Sequence, residues 1–231
     1  MSGVFITATG TDVGKTFVAA GLVRAWRRAG RRVSALKPVV TGFDPAAATD
    51  SDPGVLLAAL GGGVTEAAVA AIAPWRFRAP LSPDMAARLE GRTLDVEAMI
   101  GFCRETIAAA ADVTVIEGVG GVMVPLDDRR TVLAWMTALG LPAVLVAGSY
   151  LGAISHTLSA LDVLLRHRIA VAALVVSETP DSRVPWHETV ATISRFAAPV
   201  AVVALPHRDD PAATDLIFDR LAGILLSTLP R

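Results

Sequence analysis

Ala8-Thr9-Gly10-Thr11-Asp12-Val13-Gly14-Lys15-Thr16 joins the apolar run Val4-Phe5-Ile6 to an amphipathic stretch of helical length, Thr16 to Arg28. A glycine-rich turn between strand and helix, closed by Gly-Lys-Thr, is what a phosphate loop requires. Backbone N–H groups of the turn and helix start surround phosphate oxygens, Lys15 neutralises their charge, and Thr16 offers a hydroxyl to Mg²⁺. The usual spacing places Gly at position 9, where this chain has Thr9. Asp12, Val13, Gly14, Lys15 and Thr16 are therefore expected to contact nucleotide, and Phe17 is given no role.

Outward from this stretch, further short apolar runs occur at Val33 to Leu36, Val113 to Ile116, Ala143 to Ala147, Leu174 to Val176 and Val200 to Val203. Between most of them lie segments of helical length, among them Val96 to Ala111, Ile154 to Arg166 and Trp186 to Ala197. Runs apolar on both faces, alternating with helices, predict an α/β fold of the P-loop NTPase kind, a mainly parallel sheet covered on both sides. At 231 residues the expectation is a single domain spanning 1–231. Asp44 to Pro53 and Ala73 to Pro83 read as loops that reach over a site at the carboxyl ends of the strands. Trp26, Trp75, Trp135 and Trp186 are expected at core edges.

Charge and composition narrow the function. Lys and Arg total 21 against 22 Asp and Glu, so no broad basic field exists for nucleic acid or an anionic membrane. Thr131 to Ser155 carries no charged residue, but Gly140-Leu141-Pro142 interrupts it, so it reads as helix, strand and loop rather than a membrane span. The opening Met1-Ser2-Gly3-Val4 lacks the basic start and apolar stretch of a secretory signal, and Cys103 has no second thiol to pair with. A cytoplasmic protein is expected.

Two further motifs add chemistry. Lys37 leaves the second strand in Lys37-Pro38-Val39-Val40-Thr41-Gly42, where Pro38 enforces an extended exit; it reads as a second cation facing the phosphates or as a solvated strand-end charge. Glu117 ends a strand and enters Gly118-Val119-Gly120-Gly121, as a Walker-B-like carboxylate does. Thr16, Glu117 and a loop carboxylate, Asp52 or Asp50, form a credible Mg²⁺ site, with a helix cap as the alternative for either aspartate.

Taken together, Val13 to Thr16, Lys37 to Val39, Ser51-Asp52, Pro80-Leu81-Ser82-Pro83 and Glu117 to Gly121 resemble, in order, the motifs of the dethiobiotin synthetase family, over roughly residues 3 to 206. Leu151 to His156 resembles that family's later substrate-side helix start. The resemblance implies a magnesium-dependent ligase of biotin biosynthesis that converts 7,8-diaminopelargonic acid, CO₂ and ATP or another nucleoside triphosphate into dethiobiotin, ADP and phosphate. It implies Lys15, Lys37, Thr11 and Thr41 as catalytic residues and Thr16, Asp52 and Glu117 as metal ligands. Thr11, Lys37, Thr41 and Ser82, with Gly152 and Ser155 from the other subunit of a homodimer, would hold substrate. Gly118, Ser177 and Pro206 join the nucleotide contacts. For the hydroxyls of Thr11, Thr41 and Ser82 turn capping stays open, as does a plain helix entry for Leu151 to His156.

Departures from the family pattern are Ala8 for Gly, Gly10 for Asp, Asp12 for Glu, Ser155 for Asn, and Ser177-Glu178 where Asn-Asp often meets the base. His207-Arg208-Asp209 is expected to flank the base, and His156 to be structural. The competing readings are another P-loop amide-forming synthetase, for which the chain lacks length for a glutaminase domain, and a partition-type ATPase switch, whose extra early lysine is absent from Ala8 to Thr11.

Overall fold

The computed structural model describes residues 2–109, 111–180, 182–207 and 210–228. In chain order the elements are β1 (Ser2–Ala8), α1 (Lys15–Arg28), β2 (Val33–Leu36), β3 (Val39–Val40), α2 (Asp52–Ala59), α3 (Glu66–Ile72), β4 (Trp75–Arg76), α4 (Pro83–Leu89), α5 (Val96–Ala108), β5 (Val113–Glu117), α6 (Val132–Leu139), β6 (Ala143–Ala147), α7 (Ala153–Arg166), β7 (Val171–Ser177), α8 (Trp186–Ala197), β8 (Val202–Leu205) and α9 (Pro211–Thr228). Six strands form one sheet in the order β2-β5-β1-β6-β7-β8, and every pairing is parallel. All carboxyl ends therefore share one edge, with β1 and its following loop near the middle.

Strand side chains alternate between two cores, as the pleat requires. Val4 and Ile6 of β1, Val144 and Val146 of β6, and Val175 of β7 pack with Leu22 and Trp26 of α1, Leu56 of α2 and Phe218 of α9. On the opposite face Phe5, Ile116, Leu145 and Leu174 pack with Met99 of α5, Trp135 of α6, Leu161 of α7 and Ile193 of α8. Phe5 meets Trp135 edge to face, with ring centroids 4.7 Å apart. Burial on both faces is why the strands read as nearly continuous apolar runs.

The differences from the sequence expectation have local causes. Trp26 and Trp135 are fully buried in the two cores, not at their edges, while Trp75 and Trp186 are half-buried. The last strand is Val202–Leu205, because Pro199 ends α8 and the Val200 N–H turns back to the Ala197 carbonyl at 2.9 Å. The expected loop Ala73 to Pro83 contains β4, which pairs with β3 in a small parallel sheet of its own. The expected loop Asp44 to Pro53 holds a short 3-10 turn and gives way to α2, whose first turn is capped by the Ser51 hydroxyl accepting from the Gly54 N–H. Among the described residues no helix is long and apolar enough to cross a membrane.

Candidate active site

The phosphate loop is shaped by two left-handed backbone positions. Gly14 has φ 95° and Asp12 has φ 56°, a conformation that is uncommon outside glycine and frequent at ligand sites. A Cβ on Gly14 would lie 3.4 Å from Ser177 Oγ, so the loop abuts the end of β7. Helix α1 starts at Lys15 with no side-chain cap, and its first N–H groups face the loop as an anion cradle requires. Val13 points the other way and is buried in the core beneath, so its contribution to a ligand is its backbone.

Lys15 Nζ donates to the Gly10 carbonyl at 2.7 Å. Burial, followed by the repulsion of Lys37, lowers its pKa to about 8. The negative charge of an incoming polyanion opposes both influences and favours the ammonium form.

A second layer of charge lies one strand away. Strand β5 delivers Glu117, fully buried, and the Gly118 that follows is required because a Cβ there would come within 2.9 Å of the Phe5 ring. Thr16 Oγ1 lies 2.7 Å from Glu117 Oε1 and 2.8 Å from Asp52 Oδ1. Lys37 Nζ, 3% exposed, makes contacts of 2.6 Å with Glu117 Oε1, 2.7 Å with Asp52 Oδ2 and 2.9 Å with the Gly118 carbonyl. Burial alone would lower Lys37, but Glu117 and Asp52 outweigh it and hold the ammonium above the usual lysine value. Asp52 is likewise penalised by burial and held below the usual carboxylate value by Lys37 and Thr16. Burial pushes Glu117 up, with Lys37 opposing and Asp52 adding to the rise.

Glu117 Oε2 is buried without a hydrogen-bond partner among the described residues. An orphaned carboxylate oxygen beside a threonine hydroxyl and a second carboxylate is a donor set suited to a hard divalent cation. Thr16, Asp52 and Glu117 therefore fit magnesium. Asp50 lies on the same cavity wall and makes no contact with Thr16 or Lys37. Capping of α2 falls to Ser51, which leaves the Asp52 carboxylate free to face the site.

The cavity, about 900 Å³, extends from this cluster and is lined by Thr11, Asp12, Thr41 and Ser82 besides the charged residues. Pro80 and Leu81, quoted in the Pro80 to Pro83 motif without a role of their own, also line it; Gly42, with φ 72° and a close approach to Pro80, brings the two loops together. Gly152 and Ser155 are exposed at the start of α7 and do not line the cavity of their own chain. Ser177 and Pro206 sit on the other flank of the phosphate loop, at the ends of β7 and β8. His207 follows Pro206, whereas Arg208 and Asp209 lie outside the described residues. His156 Nδ1 pairs with the Tyr150 hydroxyl at 2.9 Å, away from the cavity lining. Phe17 packs edge-on to Phe218. Cys103 is buried in α5, where burial pushes its thiol up to about 12.

A parallel sheet whose central strand runs into a phosphate loop and helix, with an acidic residue ending the adjacent strand beside the loop's threonine, defines a P-loop nucleotide-binding protein. Solved structures agree on the fold: the cell-division protein MinD of Aquifex aeolicus aligns with TM-score 0.59 at 14% identity over 98% of both chains. The septum site-determining protein MinD of Pyrococcus horikoshii, complexed with Mg-ADP, aligns with TM-score 0.56 at 15% identity, over 97% of this chain and 95% of that one. Within that class a sequence family described as AAA domain matches residues 2–213. ATP-dependent dethiobiotin synthetase BioD of Acidiphilium cryptum is 49% identical over 84% of this chain and 88% of its own, and that of Phenylobacterium zucineum is 46% identical over 96% of each. The chain belongs to the dethiobiotin synthetase family.

Proposed function

We propose that the protein is an ATP-dependent ligase that closes the cyclic urea of dethiobiotin from 7,8-diaminopelargonic acid and CO₂. The observation that carries this reading is the convergence of Lys15, Lys37, Thr16, Asp52 and Glu117 at one end of a cavity whose walls hold Thr11, Thr41 and Ser82. One substrate amine adds to CO₂, losing a proton and giving a carbamate. A carbamate oxygen then bonds to the γ-phosphorus as the bond to ADP breaks. The second amine attacks the carbamoyl carbon and gives up a proton, and phosphate leaves with the C–O electron pair as the ring closes.

The difficult step joins two anions, so catalysis is positioning plus offsetting negative charge. Lys15 lies at the phosphate loop and Lys37 between that loop and the cavity, so the two ammonium groups flank the path of the transferred phosphoryl group. Thr16, Asp52 and Glu117 would hold magnesium, which supplies charge neutralisation to the triphosphate when bound. The hydroxyls of Thr11, Thr41 and Ser82 would orient the diamine and its carbamate, a role supported by their position on the cavity wall.

The reading extends to a cytoplasmic homodimer of single-domain chains. Its support is the exposed start of α7, where Leu151 is 89% exposed and Gly152 and Ser155 leave their own cavity free to receive the same element of a partner. The helix start would take the substrate carboxylate. The test mixes purified protein with diaminopelargonate, bicarbonate, magnesium and ATP and reads dethiobiotin by mass spectrometry. Dethiobiotin in stoichiometry with ADP is expected; ADP release without dethiobiotin would overturn the reading.

A further inference from the structure

A second cavity, about 560 Å³, adjoins the first at Phe43, which lines both. Its walls come from the segment after β3, the start of α3, β4 with the residues that follow it, and the turn after α4. A volume of this size suits an organic molecule rather than a single inorganic ion.

The charges on its walls do not cancel. Arg76 Nη1 and Nη2 reach the two carboxylate oxygens of Glu66 at 3.0 and 2.9 Å, and the guanidinium lies 5.2 Å from the Phe43 ring centroid. Arg92 donates to the Arg76 carbonyl at 2.9 Å and to Glu90 at 3.2 Å, and lies 4.6 Å from the Phe77 ring centroid. Glu90 also accepts from the Arg78 N–H at 2.6 Å. The exposed Arg78 guanidinium has neither an ion pair nor a hydrogen bond among the described residues. With Glu66 offsetting Arg76 and Glu90 offsetting Arg92, one positive charge is left over. The remaining walls are apolar: the buried rings of Phe43 and Phe77, with Pro45 and Pro74. One uncompensated guanidinium beside an apolar surface matches a monoanion with an apolar body, and its fork matches a carboxylate best.

We propose that this cavity is a second binding site, for a small organic monocarboxylate, and that its occupancy weakens substrate binding in the first cavity through Phe43. The link is built in backbone and core. Phe43 N–H donates to the Phe77 carbonyl at 2.9 Å and Gly42 N–H to the Ala79 carbonyl at 3.0 Å, which ties the Thr41 segment to the one leading into Ser82. Phe43 also packs with Leu57 of α2 and Val69 of α3, and those helices begin at Asp52 and Glu66. A carboxylate beside Arg78 competes with Glu66 for Arg76 and loosens the Arg76–Phe43 stack that braces this segment. The coupling rests on the diamine reading of the first cavity; the binding site does not.

The probes are benzoate and benzamide, which share a ring and differ in charge, titrated against amide shifts in NMR spectra of the whole protein. Benzoate should bind at least about tenfold tighter than benzamide, the size of one charge-assisted pair, with the shifts centred on Phe43, Phe77 and Arg78. Arg78→Ala, with an unchanged thermal melt, should bring the two probes within about twofold of each other. Glu66→Gln, which releases Arg76, should tighten benzoate about threefold. In turnover, saturating benzoate should raise KM for diaminopelargonate at least about threefold in the wild type and leave it unchanged in Arg78→Ala, with KM for ATP within about twofold in both. Equal binding of the two probes, shifts elsewhere, or full benzoate affinity in Arg78→Ala would overturn the site. Benzoate bound there with KM unmoved, or inhibition that persists in Arg78→Ala, would overturn the coupling. Benzoate bound as expected by a protein that makes no dethiobiotin would overturn the synthetase reading and leave the site standing.

Discussion

The two flanks of the phosphate loop are built on different principles. On the β5-β2 flank, Lys37, Glu117, Asp52 and Thr16 meet at 2.6–2.8 Å, with Lys37 and Glu117 almost wholly removed from water. On the β7-β8 flank the groups are half-buried or exposed, and the contacts run largely between side chains and backbone, as at Glu178, Thr179 and Ser182. Buried charge is costly unless paired, so the first flank tolerates few substitutions. The first flank is held by buried, paired charge, and the second by side chain to backbone hydrogen bonds.

The largest expected effect falls on the first flank. Lys37→Ala and Lys15→Ala should each lower kcat/KM for dethiobiotin formation by at least about 10²–10³, the loss typical of one group that stabilises transition-state charge. Because Lys37→Ala also leaves Glu117 and Asp52 facing each other without their cation, a thermal melt must accompany the kinetics. The double variant should lose less than the product of the two, since both cations act on one transition state. Near-normal turnover by folded Lys37→Ala would make Lys37 a structural counter-ion of Glu117 and erase the contrast between the flanks.

A smaller effect separates the two aspartates. Asp52→Asn should lower activity about tenfold or more at limiting magnesium and recover in part as magnesium is raised, because a neutral amide is the poorer ligand for a hard cation. Asp50→Asn, which removes a carboxylate with no contact to Thr16, should change the magnesium dependence by less than about twofold. The reverse order in a magnesium titration of the two variants would reassign the loop ligand.

Lys15 gives the flank a pH signature. Its pKa in the free protein is lowered to about 8, from 10.5, by burial and by Lys37. Triphosphate stabilises the ammonium form, so above pH 8 binding must take up a proton that the free protein has lost. Affinity for ATP is therefore steady below about pH 7 and weakens by up to about tenfold per pH unit above about 8. Calorimetry in two buffers of different ionisation enthalpy should detect net proton uptake at pH 9, and Lys15→Ala should remove that uptake. Pyrophosphate-containing ligands lacking a base should show the same dependence, which places it on the phosphate flank.

The same division explains what the sequence made legible. The phosphate loop, the Lys37 motif and the Glu117 turn each pair a charged residue with glycine or proline at a strand end, and each lies where that pattern places it. The residues alone leave Asp52 and Asp50 open and the resemblance implies Asp52; that Asp52 meets Thr16 and Lys37 shows only in three dimensions, where Ser51 takes the cap of α2. The expected loop Ala73 to Pro83 reaches only the first residue of α4, Pro83, in the first turn where proline is tolerated, and no expectation from the sequence covers the rest of that helix. Trp26 and Trp135, expected at core edges, are both fully enclosed, with their ring N–H groups unpartnered among the described residues. On the base flank the Glu178 carboxylate accepts from the His207 N–H at 2.9 Å, joining residues far apart in sequence through a backbone donor, and a backbone donor leaves no mark in the sequence.

The smallest expected effect concerns choice among bases. Ser177 stands where the family often carries Asn, and its hydroxyl is short, with no paired donor and acceptor on one plane to match a base edge. Strong selection against a wrong base depends on buried polar groups left unpaired by it, and Ser177 is only half-buried. Backbone groups of the Pro206–His207 segment can add affinity for any base, since every base presents a flat face and polar edges to a wall. The kcat/KM values for ATP, CTP, GTP and UTP, measured at one magnesium and bicarbonate concentration, should therefore fall within about tenfold of one another, with differences in KM rather than kcat. Ser177→Asn should widen that spread, because the amide restores the paired geometry beside Gly14. A wild-type preference for ATP much beyond tenfold would mean that the Pro206–His207 backbone discriminates as well as binds, and Glu178→Ala, which removes the acceptor of the His207 N–H, should then reduce selectivity along with affinity.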